Sequence, residues 1–336
     1  MKVVVVGATG LVGSKMVEIL EQRLFPVTEL ILVASERSIG KSLIFRGEEI
    51  KVVSHQKAIE LKPHIALFSA GAKTSMEWAP VYAQNGVRVI DNSSYWRMDS
   101  GVKLIVPQVN GILLSESDRI IANPNCSTIQ MVVAINNLHI KYKIKKIVVS
   151  TYQSVSGSGV KGLNQLKNER EGLDSDLLSN AYNCKIEGNI IPHIDVFEDS
   201  GYTKEEMKMV NETRKILQDS SIDVCATAVR VPVAFGHSES IYLEFDNEIS
   251  IDSALDILDN TPGVVLQKDS NKYHTPIEIE GKDHVFVSRV RGVFGNGKAL
   301  KMWVVADNLR KGAATNAIEI AELLIKENNF NFVQNL

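Results

Sequence analysis

Residues 2–7 read as an apolar strand that runs into Gly7-Ala8-Thr9-Gly10-Leu11-Val12-Gly13. From there Val12, Met16, Ile19 and Leu20 recur at helical spacing to about residue 22. The pattern predicts strand, tight turn, helix. Further strands are expected over 29–35, 64–70 and 87–91, separated by polar or helical stretches that include a helix over 73–84. Near-continuous apolar strands alternating with helices call for a parallel sheet covered on both faces.

After Cys126 the character changes. Residues 127–139 read as a helix, 144–155 as a strand, QSVSGSG as a turn and 158–180 as a mostly polar helix. Strands are then expected over 223–233, 239–246, 284–290 and 299–306 with few helices between them, which predicts an α+β arrangement on a mixed or antiparallel sheet. Residues 313–326 form another apolar-striped helix that could pack on either domain. No internal repeat is evident.

A chain of 336 residues is most simply two domains. With 44% hydrophobic and 23% charged residues, and ordinary Gly and Pro content, it is neither disordered, collagenous nor a coiled coil. A net charge of −3 predicts neither a nucleic-acid surface nor an anionic-membrane surface. The apolar run in MKVVVVG is too short for a signal peptide, and nowhere do 18 uncharged apolar residues occur together, so a cytoplasmic location is the default expectation. Cys126, Cys184 and Cys225 form no CxxC or zinc-ligand pattern, and no metal is expected.

Gly7, Gly10 and Gly13 sit where a dinucleotide fold needs glycine, for the tight turn, the approach of the pyrophosphate to backbone, and close helix–sheet packing. The spacing is GxxGxxG rather than the commoner GxGxxG, and glycines that merely shape a turn are the plainer alternative. After the second strand comes Glu36-Arg37-Ser38. An acid there favours NAD by holding ribose hydroxyls, whereas Arg37 and Ser38 suit a 2′-phosphate and tip the expectation to NADP.

Cys126 lies in Ile-Ala-Asn-Pro-Asn-Cys-Ser-Thr, between a strand-like stretch and a helix. A sulfur near a helix N-terminus is biased toward thiolate, although a lone cysteine is more often a small buried hydrophobe. Cys184 and Cys225 have no comparable setting; both read as structural, Cys225 facing a sheet core. In Val229-Arg230-Val231-Pro232-Val233-Ala234-Phe235-Gly236-His237, Arg230 could take a carboxylate bidentately and His237 could shuttle a proton near neutral pH.

These segments together (GATGLVG, NPNCST, QSVSGSG, RVPVAFGH and VVADNLRKGAA) resemble the motifs of the aspartate-semialdehyde dehydrogenase family, in its order and over essentially the whole chain. The resemblance implies a Rossmann NADP-binding domain, residues 1–126 with 312–336, and an α+β catalytic and dimerisation domain with a mixed sheet, residues 127–311. It implies NADPH-dependent conversion of L-aspartyl 4-phosphate to L-aspartate 4-semialdehyde and phosphate, toward lysine through diaminopimelate, methionine and threonine, by a homodimer or a tetramer. Position by position it implies Cys126 as nucleophile, His237 as acid–base catalyst and Gln153 as the group orienting substrate and thioester. Arg230 matches the arginine on the substrate α-carboxylate and Glu205 the acid near its amino group. Arg97 and Lys208, with Asn125, match the phosphate-binding groups. Gly7, Thr9, Gly10, Leu11, Val12, Gly13, Arg37, Ser38, Ser156, Gly157 and Asn308 match cofactor contacts.

Taken without the family, Gln153, Ser156 and Gly157 could be turn formers, Glu205 and Lys208 an exposed ion pair at i,i+3, and Arg97 a stacked surface arginine. The nearest rival activity is that of N-acetyl-gamma-glutamyl-phosphate reductase, whose cysteine motif resembles GNPGCY where this chain has ANPNCS. A glyceraldehyde-3-phosphate dehydrogenase would carry SCTTN, which is absent. A regulator that binds a dinucleotide without turnover would need no nucleophile.

Overall fold

Val3 to Val6 are buried to 1% or less, and they belong to β1 (Lys2–Val6) at the centre of a sheet covered on both faces. The computed structural model describes residues 1–173 and 180–327, which divide into two units: Met1–Pro124 with the chain from Ala313 onward, and Asn125–Gly312.

In the first unit β1 leads into α1 (Leu11–Gln22), followed by β2 (Glu29–Val33), β3 (Ser42–Phe45), β4 (Glu48–Val53), α2 (His55–Glu60), β5 (Ile65–Phe68), α3 (Ala72–Gln84), β6 (Arg88–Asp91), β7 (Lys103–Leu104), α4 (Pro107–Asn110) and β8 (Ile120–Ala122). The strand order is β3-β4-β2-β1-β5-β6-β8-β7, parallel except where β3 meets β4. This is the Rossmann arrangement, with its reversal of strand order beside β1. Alternate side chains feed separate layers. Val3, Val5, Leu30 and Leu32 pack with Met16, Ile19 and Leu20 of α1, while Val4, Val6, Ile31 and Phe68 pack with Ala79 and Tyr82 of α3. The last helix, α10 (Thr315–Glu327), joins the α1 side through Ala317, Ile318, Ala321 and Leu324, so the helix whose domain the sequence left open belongs to this sheet. Arg23 seals the seam, donating from Nε and Nη2 to the two carboxylate oxygens of Glu322 at 2.8 and 2.7 Å.

The second unit begins with α5 (Cys126–Tyr142) and β9 (Ile144–Gln153), followed by α6 (Gly159–Arg170), α7 (Lys204–Leu217), β10 (Asp223–Arg230), β11 (His237–Phe245), α8 (Ile251–Asp259), β12 (Val264–Leu266), α9 (Pro276–Ile279), β13 (Val285–Val293) and β14 (Asn296–Ala306). Its sheet runs β10-β9-β11-β14-β13-β12, parallel at both outer pairs and antiparallel within, so it is mixed as expected. The polar helix expected over 158–180 is shorter: α6 ends at Arg170, and Gly172 then turns left-handed at φ +69°. The rest of that expectation, 174–179, lies outside the described residues. Cys225 is a further correction. On β10 it is Val224, Ala226 and Ala228 that point inward, and strict alternation leaves Cys225 exposed. Among the described residues no helix is long and apolar enough to cross a membrane, and no group of three or more His, Cys, Asp or Glu side chains is placed to hold a metal ion.

Candidate active site

Cys126 is the first residue of α5, which places it at the helix's positive end. Asn125 caps this helix: its Oδ1 accepts from the backbone N–H groups of Ser127 at 3.0 Å and Thr128 at 3.3 Å. The other side of Cys126 faces backbone at Gly312, where an added Cβ would come within 2.9 Å of the cysteine Cβ. Nothing larger than glycine fits at 312 without displacing the cysteine.

Helix α7 organises the polar groups around this point. It starts with a capping box between Thr203 and Glu206. One oxygen of buried Glu205 accepts from Asn125 Nδ2 at 2.9 Å and Gln153 Nε2 at 3.2 Å, and the other pairs with Lys208 Nζ at 3.2 Å. Lys208 also reaches Asp195 at 2.7 Å. Burial opposes the charge on Glu205, but Lys208 and the two amide donors outweigh it and hold the carboxyl below its ordinary range. The pair at i,i+3 is therefore not a solvated surface pair, and Glu205 ties Asn125 and Gln153 to one point.

Arg230 and His237 end and begin strands that follow one another in the chain and flank β9 in the sheet, at the last residue of β10 and the first of β11. Arg230 is 3% exposed and donates from Nη1 to the Ser154 carbonyl at 2.7 Å, while its Nε has no partner among the described residues. Its guanidinium lies 5.8 Å from the centre of the Tyr182 ring, a cation–π arrangement. His237 is fully buried. Its Nδ1 accepts the backbone N–H of Ser154 at 3.1 Å, which assigns the proton of the neutral ring to Nε2, and Nε2 has no partner among the described residues. Burial first, and Arg230 second, hold the imidazole well below its ordinary value of 6.5. The two residues meet at Gly157, where an added Cβ would stand 2.8 Å from Arg230 Nη1 and 3.3 Å from His237 Nε2. Asn308 stitches the surrounding loop, bonding Ser154, Ser156 and the Gly236 N–H through one side chain. A cavity beside Arg230 is lined by Ser158, Tyr182, Cys184, His193 and Asp195.

In the first unit, Gly7 has φ +84°, and a Cβ there would lie 2.3 Å from the Ser69 carbonyl oxygen; at Gly13 it would lie 2.1 Å from the Gly7 carbonyl oxygen. Gly10 is the N-cap of α1 and offers no side chain to the first-turn N–H groups, leaving them open to an anion. Leu11 and Val12 open that turn. The cavity above is lined by Thr9, Gly10, Ser35, Glu36, His55 and Trp78 among others, so the residues present fit a dinucleotide. Glu36 lines this cavity, whereas Arg37 is exposed and Ser38 is 7% exposed beneath the turn. Arg97, expected at the surface by the plainer alternative, is 7% exposed; it donates from Nε to the Asn123 carbonyl at 3.0 Å and from Nη2 to that of Asn92 at 2.9 Å.

Residues 2–117 match the model of the semialdehyde dehydrogenase NAD-binding domain, and residues 127–311 that of the semialdehyde dehydrogenase dimerisation domain. An aspartate-semialdehyde dehydrogenase of Aquifex aeolicus is 54% identical over 337 aligned residues, covering 97% of this chain and 98% of that one. The chain belongs to the aspartate-semialdehyde dehydrogenase family. The crystal structure of the aspartate-semialdehyde dehydrogenase II of Vibrio cholerae superimposes with a TM-score of 0.93 at 46% identity, over 97% of this chain and 98% of that one.

Within this family member, three residues to which the sequence reading gave no role bear on the site. Ser154 holds His237 through its main-chain N–H, Gly312 backs Cys126, and Glu212 of α7 accepts the backbone N–H of Asn125 at 2.7 Å. Ser154 and Gly312 sit inside quoted motifs, in QSVSGSG and DNLRKGAA. Glu212 sits in none, and its helical spacing from Glu205, two turns on, is the one signal that could have found it.

Proposed function

We propose that this chain catalyses the NADPH-dependent reductive dephosphorylation of L-aspartyl 4-phosphate to L-aspartate 4-semialdehyde and phosphate, in lysine (diaminopimelate), methionine and threonine biosynthesis. The observation that carries the reading is the meeting of Arg230 and His237 at Gly157: two buried side chains, whose Nε and Nε2 have no partner among the described residues, close on one glycine in the unit that also carries Cys126 at a helix N-terminus. A small acyl substrate with a carboxylate needs such a pair.

Cys126 attacks the acyl carbon as thiolate; the carbon–oxygen bond to phosphate breaks and a thioester remains on sulfur. Arg230 binds the α-carboxylate, Glu205 sits toward the amino group, and Gln153, held by Glu205, orients the thioester. Arg97 and Lys208, with Asn125, take the phosphate. When bound, the dinucleotide supplies a hydride to the thioester carbon. His237, with its proton on Nε2, donates to the oxygen that becomes negative. It then takes the hydroxyl proton as the carbon–sulfur bond breaks, and the aldehyde separates from the Cys126 thiolate that began the cycle.

NADP is the proposed cofactor, held by Gly7, Thr9, Gly10, Leu11, Val12, Gly13, Ser156, Gly157 and Asn308, with Arg37 and Ser38 on the 2′-phosphate. Charge-assisted bonds worth about 1.5–3 kcal/mol amount to roughly 10- to 150-fold preference over NAD. Tighter binding of NAD in equilibrium titrations would give that pocket to Glu36. A homodimer or tetramer in the cytoplasm is the proposed assembly, supported by the dimerisation-domain match, and residues 1–126 with 312–336 and 127–311 are the proposed functional domains. The deciding assay mixes purified protein, phosphate, NADP and aspartate semialdehyde and follows NADPH absorbance. No absorbance with this aldehyde, but absorbance with N-acetylglutamate semialdehyde, would assign the rival activity.

A further inference from the structure

The residue before Cys126 has every polar group of its side chain, and its backbone N–H, engaged. Asn125 Oδ1 caps α5, its Nδ2 meets Glu205 at 2.9 Å, and its main-chain N–H meets Glu212 Oε2 at 2.7 Å. Glu205 and Glu212 are seven residues apart on α7, two helical turns along one face, so one rigid helix grips Asn125 at two points. Glu212 is 1% exposed. Pro124 precedes this amide and offers no N–H of its own, so the Asn125 amide is the last main-chain donor before the nucleophile. On the far side Gly312 approaches Cys126 closely enough that a Cβ on it would stand 2.9 Å from the cysteine Cβ.

We propose that Glu212 is a positioning residue for Cys126: by holding the Asn125 N–H it fixes the Pro124–Asn125 peptide, and with Glu205 on the Asn125 side chain it sets the residue from which the cysteine projects and keeps the sulfur in line for attack. The inference rests on the reading of Cys126 as nucleophile. A side chain that only stabilises the fold would affect the folded fraction; one that aims the sulfur affects the reactivity of molecules that are folded. A displacement of about 1 Å at a reacting atom costs on the order of 100-fold.

Three variants separate the possibilities. Glu212→Ala removes the acceptor and should lower kcat on the order of 100-fold with KM for aldehyde within a few-fold. Glu212→Gln keeps an acceptor oxygen in place and should recover at least about ten-fold of that loss. Glu212→Asp keeps the charge but withdraws the acceptor by about 1.5 Å, the length of one carbon–carbon bond, and should fall with the alanine variant. The second readout is independent of turnover: the rate of iodoacetamide alkylation of Cys126, followed by mass spectrometry across pH, should fall and change its pH profile in the alanine and aspartate variants and return toward wild type in the glutamine variant. Alkylation and kcat within two-fold of wild type in a folded Glu212→Ala protein would overturn the proposal. If the alanine variant does not fold, the same result in Glu212→Asp would overturn it. Absence of activity in the wild type with aspartate semialdehyde would sink the proposed reaction instead, and the alkylation series would still report on positioning.

Discussion

His237 and Glu239 lie two residues apart on β11, both at 0% exposure, and their titrations work on stability with opposite signs. Burial pushes the Glu239 carboxyl well above its ordinary value of 4.5, with Gln130 as the polar side chain beside it. A raised folded value means that the folded chain keeps a proton the unfolded chain releases, so the contribution is present below 4.5 and is lost as pH rises. His237, depressed, costs stability as pH falls below 6.5. Glu239→Gln should therefore leave the melting temperature near wild type at pH 4 and raise it increasingly toward pH 8; thermal melts across that range would refute this if the two curves stay parallel. For catalysis, His237→Asn should lower turnover by about 10² to 10⁴ and abolish an inflection on the acid side of 6.5, where the structure places the imidazole rather than near neutrality. Activity within a few-fold across that range would leave His237 as an orienting group. Cys126→Ala should retain fold and dinucleotide binding but lose nearly all turnover, and an acyl adduct found by mass spectrometry on Cys184 or Cys225 in the wild type would reject the assignment. At this scale the sequence displayed Cys126, Arg230 and His237 through their flanking glycines and prolines. It could not display Ser154, whose contribution is a main-chain N–H that any residue type carries.

Elements were legible where the hydrophobic period was strong. Of the first sheet, β1, β2, β5 and β6, and with them α1, α3, α5 and α10, stand within a few residues of their expected places, because each is apolar over most of its length or on one face. The hairpin of β3 and β4 escaped: its turn is Arg46-Gly47, both left-handed at φ +52° and +81°, where the usual signal is Asn-Gly or Asp-Gly. Arg46 is held there by donating to the carbonyls of Phe25 and Val27 at 2.8 and 2.9 Å, contacts made some twenty residues back in the chain. Cys225 was misplaced because a cysteine amid valines and alanines looks apolar throughout, and only pairing shows which side of a strand is inward. The junction of β1 and α1 offers a direct test. Gly13→Ala would thrust a methyl group to 2.1 Å from the Gly7 carbonyl oxygen, backbone that cannot swing aside. Overpacking of this kind costs about 1–3 kcal/mol, so denaturant unfolding of the variant should show that loss together with weaker NADP binding. Stability equal to wild type would mean that helix and strand part without cost.

The first unit is split along the chain, because α10 rejoins its sheet after the whole continuous second unit has been traversed. Ile318, Ile320 and Leu324 of α10 are buried to 1% or less, and at about 1.5–3 kcal/mol for each such side chain the helix contributes on the scale of a typical domain's entire stability of about 5–15 kcal/mol. A chain stopped at Gly312 should accordingly lose hydrogen-exchange protection throughout the first sheet, including β1; protection retained there would show that α10 is dispensable. The same chain order sets a timetable for synthesis. At about 5–20 residues per second, the ribosome needs roughly 10–40 s to pass from Pro124 to Ala313. Throughout that interval the first 124 residues are outside or leaving the exit tunnel with their α1 side uncovered, while the second unit, made later, has every strand of its own sheet in hand first. The nascent protein thus completes its second unit before its first, and the uncovered apolar layer around Met16, Ile19 and Leu20 is the surface a chaperone would meet while translation is still under way.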